Sequence, residues 1–223
     1  INTSINKHYI NKKYHRNFDN DFQIASFLDP KKNTFIFFSS RKVYKSKGNI
    51  KENDKLNPLS NYSKNKLITE NLLKSKLKSN LLILRISNII GFKLKFRKNL
   101  HQTFVDLFYK KAKKGFIYDN ANRFKDFLSV KKFGQILLMM IKKDLRGTYN
   151  VSIGKKVYLN QIINWLNRYN KKPLKIIKNK FIRNQDFYLN NKKLMSKIKI
   201  KNELYELKRE CLNLSKKMFN WNQ

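Results

Sequence analysis

Three kinds of side chain in this sequence could together move a proton on and off a substrate hydroxyl. They are a serine pair, Ser39 and Ser40, a tyrosine, Tyr62, and a lysine four residues later, Lys66. Tyr62 and Lys66 stand in "NPLSNYSKNKLITENLL", residues 57–73. On a helix, positions four apart share a face. An ammonium beside a phenol favours the phenolate and pulls its pKa below the usual ~10. A tyrosine tuned this way exchanges a proton near neutral pH. Spacing alone is weak support, because in a lysine-rich chain a tyrosine often meets a lysine four residues on. Ser39 and Ser40 close the apolar run "TFIFFSS". That places them at the carboxyl end of a strand, where open α/β sheets hold ligands; the plainer reading is that they merely end it. Asn88, in "LRISNIIG", follows a second such run. It offers an amide at the same edge, or is a turn residue ahead of Gly91.

The elements that would position these groups read as a βαβ unit. The run 34–38 is a buried strand, 45–61 a polar loop, 61–76 an amphipathic helix and 81–90 a second buried strand, hence a parallel sheet. The helix rests on Leu67, Ile68, Leu72 and Leu73, and Pro58 and Ser60 supply its start. Upstream, "INTSIN" reads as the end of an earlier strand and 14–28 as a helix. Downstream, helices are expected over 101–114, 131–143 and 159–169, the last with an asparagine cap. Strands are expected over 116–119 and 147–153, and the tail 184–219 is expected to be helical in parts.

Bulk properties bound the rest. The chain has 223 residues with 41% hydrophobic side chains, enough for a core despite a mean hydropathy of −0.65. The apolar runs are too short and interrupted to cross a bilayer, and no signal-peptide pattern opens the chain. The single cysteine, Cys211, has no partner within the chain, and no Cys/His cluster has zinc spacing. A reducing, cytoplasmic setting is the expectation, with no metal site and no membrane association. Against 51 Lys+Arg stand 14 Asp+Glu, a net charge of +37. Such a charge suits an anionic partner. Because the charge is mostly lysine, accompanied by much asparagine and isoleucine and spread end to end, compositional drift is the preferred reading.

The order of motifs adds more than any one of them. A strand ending in Ser-Ser-x-x-Val-Tyr is followed by an acidic-then-proline loop, "KENDKLNP", then Tyr-x-x-x-Lys with Glu70 four residues beyond, then "LRISNIIG". This resembles the extended short-chain dehydrogenase/reductase family, the branch of NAD-dependent sugar-nucleotide epimerases, dehydratases and reductases. "RFKDFLSVKKFGQILLMMI", "RGTYNVSIGKKVYLNQIINWL", "DFYLNNKKLMSKIKI" and "NFDNDFQIASFL" continue the resemblance in register over about residues 1–215. It implies an α/β fold, the C-terminal part of a doubly wound, Rossmann-like parallel sheet with a small substrate-binding appendage. Residues 1–155 would form the partial NAD(P)-binding and catalytic core, with 92–125 contributing to the substrate site and 156–223 forming the C-terminal substrate-binding part.

Carried over position by position, the resemblance makes Ser40 the residue that holds the sugar hydroxyl or ketone and Tyr62 the general acid/base. Lys66 becomes the lysine that binds the nicotinamide ribose and depresses the tyrosine pKa. Asn88 falls on an asparagine touching the nucleotide-sugar and Asn17 on a helix asparagine near the cofactor, NAD or NADP. Lys125 stands where the family has an arginine, and can still meet a phosphate. Tyr62 would take the hydroxyl proton while hydride is exchanged with the nicotinamide. The departures matter too. Lys45 replaces a glycine after Val-Tyr, and Lys131 and Lys132 stand where a second Asp is usual. Arg41 and Lys42 replace the Asp-Glu pair of the dehydratase branch, which argues for an epimerase or reductase. None of the 6 glycines forms a G-x-G-x-x-G loop. The expectation is therefore that roughly 60 residues, three strands with their helices, lie upstream, and that residues 1–223 alone bind cofactor poorly. A nucleotide-sugar substrate and a homodimer packed through the Tyr62 helix are expected. A non-catalytic, RNA-binding or structural relative is the alternative.

Overall fold

Aromatic and aliphatic runs without polar alternation suit strands buried on both faces. The structure, a computed structural model of the chain, describes residues 11–91, 103–179, 185–200 and 203–219. A 3-10 turn, Arg16–Phe18, leads into α1 (Asn20–Ser26) and β1 (Phe35–Ser40), and a second 3-10 turn, Arg41–Val43, follows at once. Next come α2 (Asn61–Leu77), β2 (Leu81–Ile86), β3 (Asn88–Ile90), α3 (Phe104–Ala112), β4 (Phe116–Asp119), β5 (Phe124–Lys125) and β6 (Phe127–Ser129). The chain continues through α4 (Val130–Lys142), β7 (Gly147–Val151), β8 (Val157–Tyr158), α5 (Leu159–Leu166), β9 (Lys175–Lys178), α6 (Lys192–Ile198) and α7 (Leu204–Phe219).

The main sheet has the order β1-β2-β7, all parallel. Alternation along β1 divides its side chains between two layers. Phe35 and Phe37 pack with Phe22 and Ala25 of α1, and with Leu73 and Leu77 of α2. Ile36 packs on the other face with Ile136 and Met140 of α4, and with Leu194 and Ile198 of α6. Helices thus cover both faces, as the expected α/β, Rossmann-like class requires. A second core joins β3 and β6 to α3, α5 and α7 around Val105, Phe108, Phe127, Ile162, Leu166 and Cys211. Around it, β3 pairs with β6 and β4 with β9 in parallel, and β5 pairs with β8 antiparallel.

α2 begins where Pro58 and Ser60 placed it. Ser60 accepts from the Ser63 N–H, and the Ser63 hydroxyl accepts from the Ser60 N–H, so two orphan donors are satisfied reciprocally. Other expectations shift. The helix read over 14–28 is a 3-10 turn followed by the seven-residue α1, because Asp19, not Asn17, provides the cap by accepting the Phe22 N–H. The apolar run 81–90 is two strands, broken at Ser87, whose halves pair with different partners: β2 with β1 and β7, β3 with β6. At α5 the capping residue is Tyr158, whose N–H is accepted by Gln161, and the expected asparagine acts one step inside, Asn160 accepting the Gln161 N–H at 2.7 Å. "INTSIN" lies outside the described residues. Among the described residues no helix is long and apolar enough to cross a membrane.

Candidate active site

Register fixes the carboxyl rim of the main sheet. Ser40 lies beside Ile86, and Ile86 beside Val151. Ser40, Ser87, Asn88 and Ser152 therefore follow one another around that rim. Ser40 ends β1 and caps the 3-10 turn behind it, accepting the Lys42 N–H at 3.2 Å. Its neighbour Ser39 points to the α2 layer and donates to Glu70 Oε1 at 2.5 Å.

α2 brings its first turn to the same rim. Positions 62, 66, 70, 73 and 77 form one stripe at helical spacing. Its later members, Glu70, Leu73 and Leu77, are buried against the sheet, so Tyr62 and Lys66 occupy the rim end of the sheet-facing stripe. The Lys42 ammonium, two residues after Ser40, lies 5.6 Å from the centroid of the Tyr62 ring. One turn further in, the Lys66 ammonium lies 4.5 Å from the centroid of the Phe37 ring on β1 and 3.6 Å from Asp21 of α1. Among the described residues no hydrogen bond joins Ser40, Tyr62 and Lys66 to one another, and the Tyr62 hydroxyl has no partner. The first turn of α2, carrying Tyr62, thus lies beside the turn that follows Ser40, while the Lys66 ammonium is shared with Asp21 and the Phe37 ring.

The other expected residues are spread around this rim. Asn88 opens β3, its N–H bonded to the Asp126 carbonyl at 3.3 Å. Lys125 sits immediately before Asp126, partly buried. Burial, and then the charges of Arg123 and Arg41, hold its ammonium below the usual lysine range, partly offset by Asp119. Asn17 is exposed on the 3-10 turn before α1, and its carbonyl accepts from the Gln23 amide. Nothing joins its own amide to Tyr62 or Lys66. Among the described residues no group of three or more His, Cys, Asp and Glu side chains could hold a metal ion.

Under the rim lies a buried polar network. Glu70 is fully buried and grips one edge of the Arg85 guanidinium with both oxygens, Nε to Oε1 at 3.1 Å and Nη2 to Oε2 at 2.6 Å. Arg85 Nη1 donates to the Tyr44 hydroxyl at 2.8 Å and to the Glu52 carbonyl at 3.1 Å. The Tyr44 hydroxyl in turn donates to Asn150 Oδ1 at 3.0 Å. Burial raises the Tyr44 phenol to about 12, against the pull of Arg85, so it remains a neutral donor. The network ties β1, α2, β2 and β7 together beneath Ser40. Its sequence signal was a charged residue, Arg85, inside an otherwise apolar strand.

A second hub is Asp126, fully buried between β5 and β6. Its carboxylate accepts from the N–H groups of Ile153 at 3.0 Å, Gly154 at 3.2 Å and Leu189 at 3.0 Å. Burial pushes its pKa up to about 7 in spite of these donors.

Fold and rim can be set against known proteins. A UDP-N-acetylglucosamine 4-epimerase from Methanobrevibacter ruminantium M1, solved with UDP-N-acetylmuramic acid, is 22% identical with a TM-score of 0.68 over 81% of this chain and 61% of its own. A dTDP-glucose 4,6-dehydratase from Bacillus anthracis str. Ames, solved with NAD, is 17% identical with a TM-score of 0.66 over 85% and 62%. The Bordetella bronchiseptica enzyme WbmG with NAD is 17% identical with a TM-score of 0.69 over 95% and 70%. The chain thus spans less than two thirds of the first of these neighbours, and at such identities the likeness concerns the fold. A search of curated proteins finds no match. The model of the NAD dependent epimerase/dehydratase family matches residues 5–152, from before α1 to beyond the end of β7 and so across the whole rim. By that match over more than half its length, the chain belongs to the NAD-dependent epimerase/dehydratase family.

Proposed function

We propose that this chain carries the catalytic groups of a sugar-nucleotide epimerase or reductase in which Tyr62 is the acid/base. The observation that carries the reading is the stripe on α2. It sets an unpartnered phenol and an ammonium at the carboxyl rim where β1 delivers Ser40. Ser40 holds the reacting oxygen, Tyr62 takes or returns its proton, and Lys66, one helical turn on, brings an ammonium to the same face of α2. Asn88 and Lys125 stand on the substrate side, Lys125 as a cation for a phosphate oxygen. Positions 41 and 42 carry cations, so no carboxyl is available there for the second proton transfer that dehydration needs.

The residues present fit one end of the cofactor. Tyr62 and Lys66 would hold the nicotinamide ribose, with Asn17 of the turn before α1 as a further cofactor contact. The sequence offers no glycine-rich loop for the pyrophosphate. NAD, when bound, supplies a reversible two-electron acceptor for the sugar carbon.

Tyr62→Phe removes only the hydroxyl. It is expected to lower kcat by about 10²–10⁴-fold while sugar-nucleotide affinity is kept. Unchanged turnover in Tyr62→Phe, measured by chromatography of the sugar nucleotides, would remove Tyr62 from the chemistry.

A further inference from the structure

Arg41 is nine-tenths buried immediately after Ser40. Among the described residues no carboxylate pairs with it, and its Nε has no hydrogen-bond partner. Among the described residues the guanidinium makes one hydrogen bond, a long contact of 3.4 Å from Nη1 to the Ser46 hydroxyl. The guanidinium is held flat by the fully buried Phe187, whose ring centroid lies 3.7 Å from its central carbon. Phe187 is placed in turn by its N–H bond to the carbonyl of Phe124, the residue before Lys125. A second cation, Lys125, which among the described residues has no ion pair, stands close enough to feel the Arg41 charge. The contrast with nearby Arg123 is direct, since that guanidinium pairs with Asp119 at 2.8 Å and Asp186 at 3.5 Å.

Burying an unpaired guanidinium is costly. Here burial alone brings the Arg41 pKa down to about 10, so it remains a cation at neutral pH. A buried, stacked, forked donor set with open N–H groups is suited to a planar carboxylate, which it can grip with two parallel hydrogen bonds.

We propose that Arg41 is a specificity residue that receives a carboxylate on the sugar ring, so that the preferred substrate is an acidic, uronic-acid-type sugar nucleotide. The proposal rests on the sugar-nucleotide reading above. If Ser40 holds the reacting oxygen, Arg41, which follows it in the chain, is rooted at the sugar end of the ligand. These two cations match a ligand with two anionic parts, the carboxylate at Arg41 and the diphosphate at Lys125. A neutral hexose would leave the Arg41 donors desolvated and unmatched, which is how polar sites reject an analogue lacking the group they bind.

The test is calorimetric binding to the protein, beginning with UDP and dTDP to find the accepted base. If neither diphosphate binds, the sugar-nucleotide reading itself fails. With the base chosen, the nucleotide uronic acid is compared with the matching neutral hexose. The uronic acid is expected to bind at least about tenfold tighter. Arg41→Gln should abolish that preference, lowering uronic-acid affinity about tenfold while hexose affinity changes little. Arg41→Lys, which keeps charge without the fork, should retain part of the preference. Equal affinity for the two ligands in the wild type overturns the proposal, as does a preference that survives in Arg41→Gln. Retained binding of the diphosphate by Arg41→Gln serves as the folding control. Its loss would shift the comparison to Arg41→Lys, where an undiminished preference also overturns the proposal.

Discussion

Single residues around the rim divide into those that face a ligand and those that hold the rim in shape, and Glu70 shows the second kind. It is sealed under the rim, and among the described residues its only counter-charge within 3 Å is Arg85. Truncating one partner of a buried ion pair leaves the other charge without compensation, at about 3–5 kcal/mol. Glu70→Ala is therefore expected to cost that much in chemical denaturation. Glu70→Leu combined with Arg85→Met should recover much of it, because the pair's net contribution is small once both charges are gone. A double variant as unstable as Glu70→Ala would show that the loss comes from the remaining hydrogen bonds of Tyr44 and Asn150. The types and spacing of Ser40, Tyr62 and Lys66 were legible because catalytic chemistry restricts residue type at fixed offsets along a strand and a helix. The partnership of Glu70 with Arg85 was not, since it forms only when β2 packs beneath α2 and nothing local in "LLILRIS" names the partner. Arg41 was visible only as a departure, and its lack of a partner is a property of the packed state.

Elements were read well where burial governs them and poorly where caps or pairing do. β1 and the parallel crossover through α2 to β2 follow from two apolar runs flanking an amphipathic stretch, and Ser60 marked the helix start to the residue. The start of α1 was not legible. Asn17, Asp19, Asn20 and Asp21 all lie within one turn, and only the Asp19 carboxylate also receives Thr69 of α2 and Tyr14. The break at Ser87 was hidden for a related reason, since a continuous apolar run carries no sign that its halves pair with different strands. Asp126 shows how separated segments are joined, binding β6 to the residues after β7 and to Leu189. Replacing it with Asn turns one acceptor oxygen into a donor facing an N–H. Asp126→Asn is therefore expected to cost about 2 kcal/mol or more at mildly acid pH. The pH dependence follows from the raised pKa. The unfolded carboxyl titrates near 3.8 and the folded one near 7, so the folded state binds the proton more tightly. The stabilisation is complete below the lower value and is lost as pH climbs to the upper one. The stability gap between wild type and Asp126→Asn should accordingly narrow from pH 5 to pH 8 in urea titrations. A gap that widens would mean that the three N–H donors outweigh burial and hold the carboxylate ionised.

For the whole molecule the dominant physical fact is charge. With 51 cationic against 14 anionic side chains, most lysines have no acidic neighbour available, and the compact state gathers like charges that the unfolded chain spreads apart. Four of the 14 carboxylates, Asp19, Glu70, Asp106 and Asp126, are buried, and Asp21 stands beside Lys66. If the surplus is background repulsion rather than a binding surface, salt should relieve it without any partner. The Debye length falls from about 30 Å at 0.01 M to about 6 Å near 0.3 M, as the inverse square root of ionic strength. The midpoint of thermal unfolding is therefore expected to rise by several degrees between those concentrations, and sodium chloride and sodium acetate should act alike at equal ionic strength. An RNA-binding surface makes a different demand. RNA affinity would fall steeply with salt, with a logarithmic slope of several units, and RNA itself would raise the midpoint at low salt far more than an equal charge of acetate does. A flat response to simple salt combined with strong stabilisation by RNA would move the charge from background to function. It would also turn attention from the rim of the sheet to the lysine-bearing outer faces of the helices.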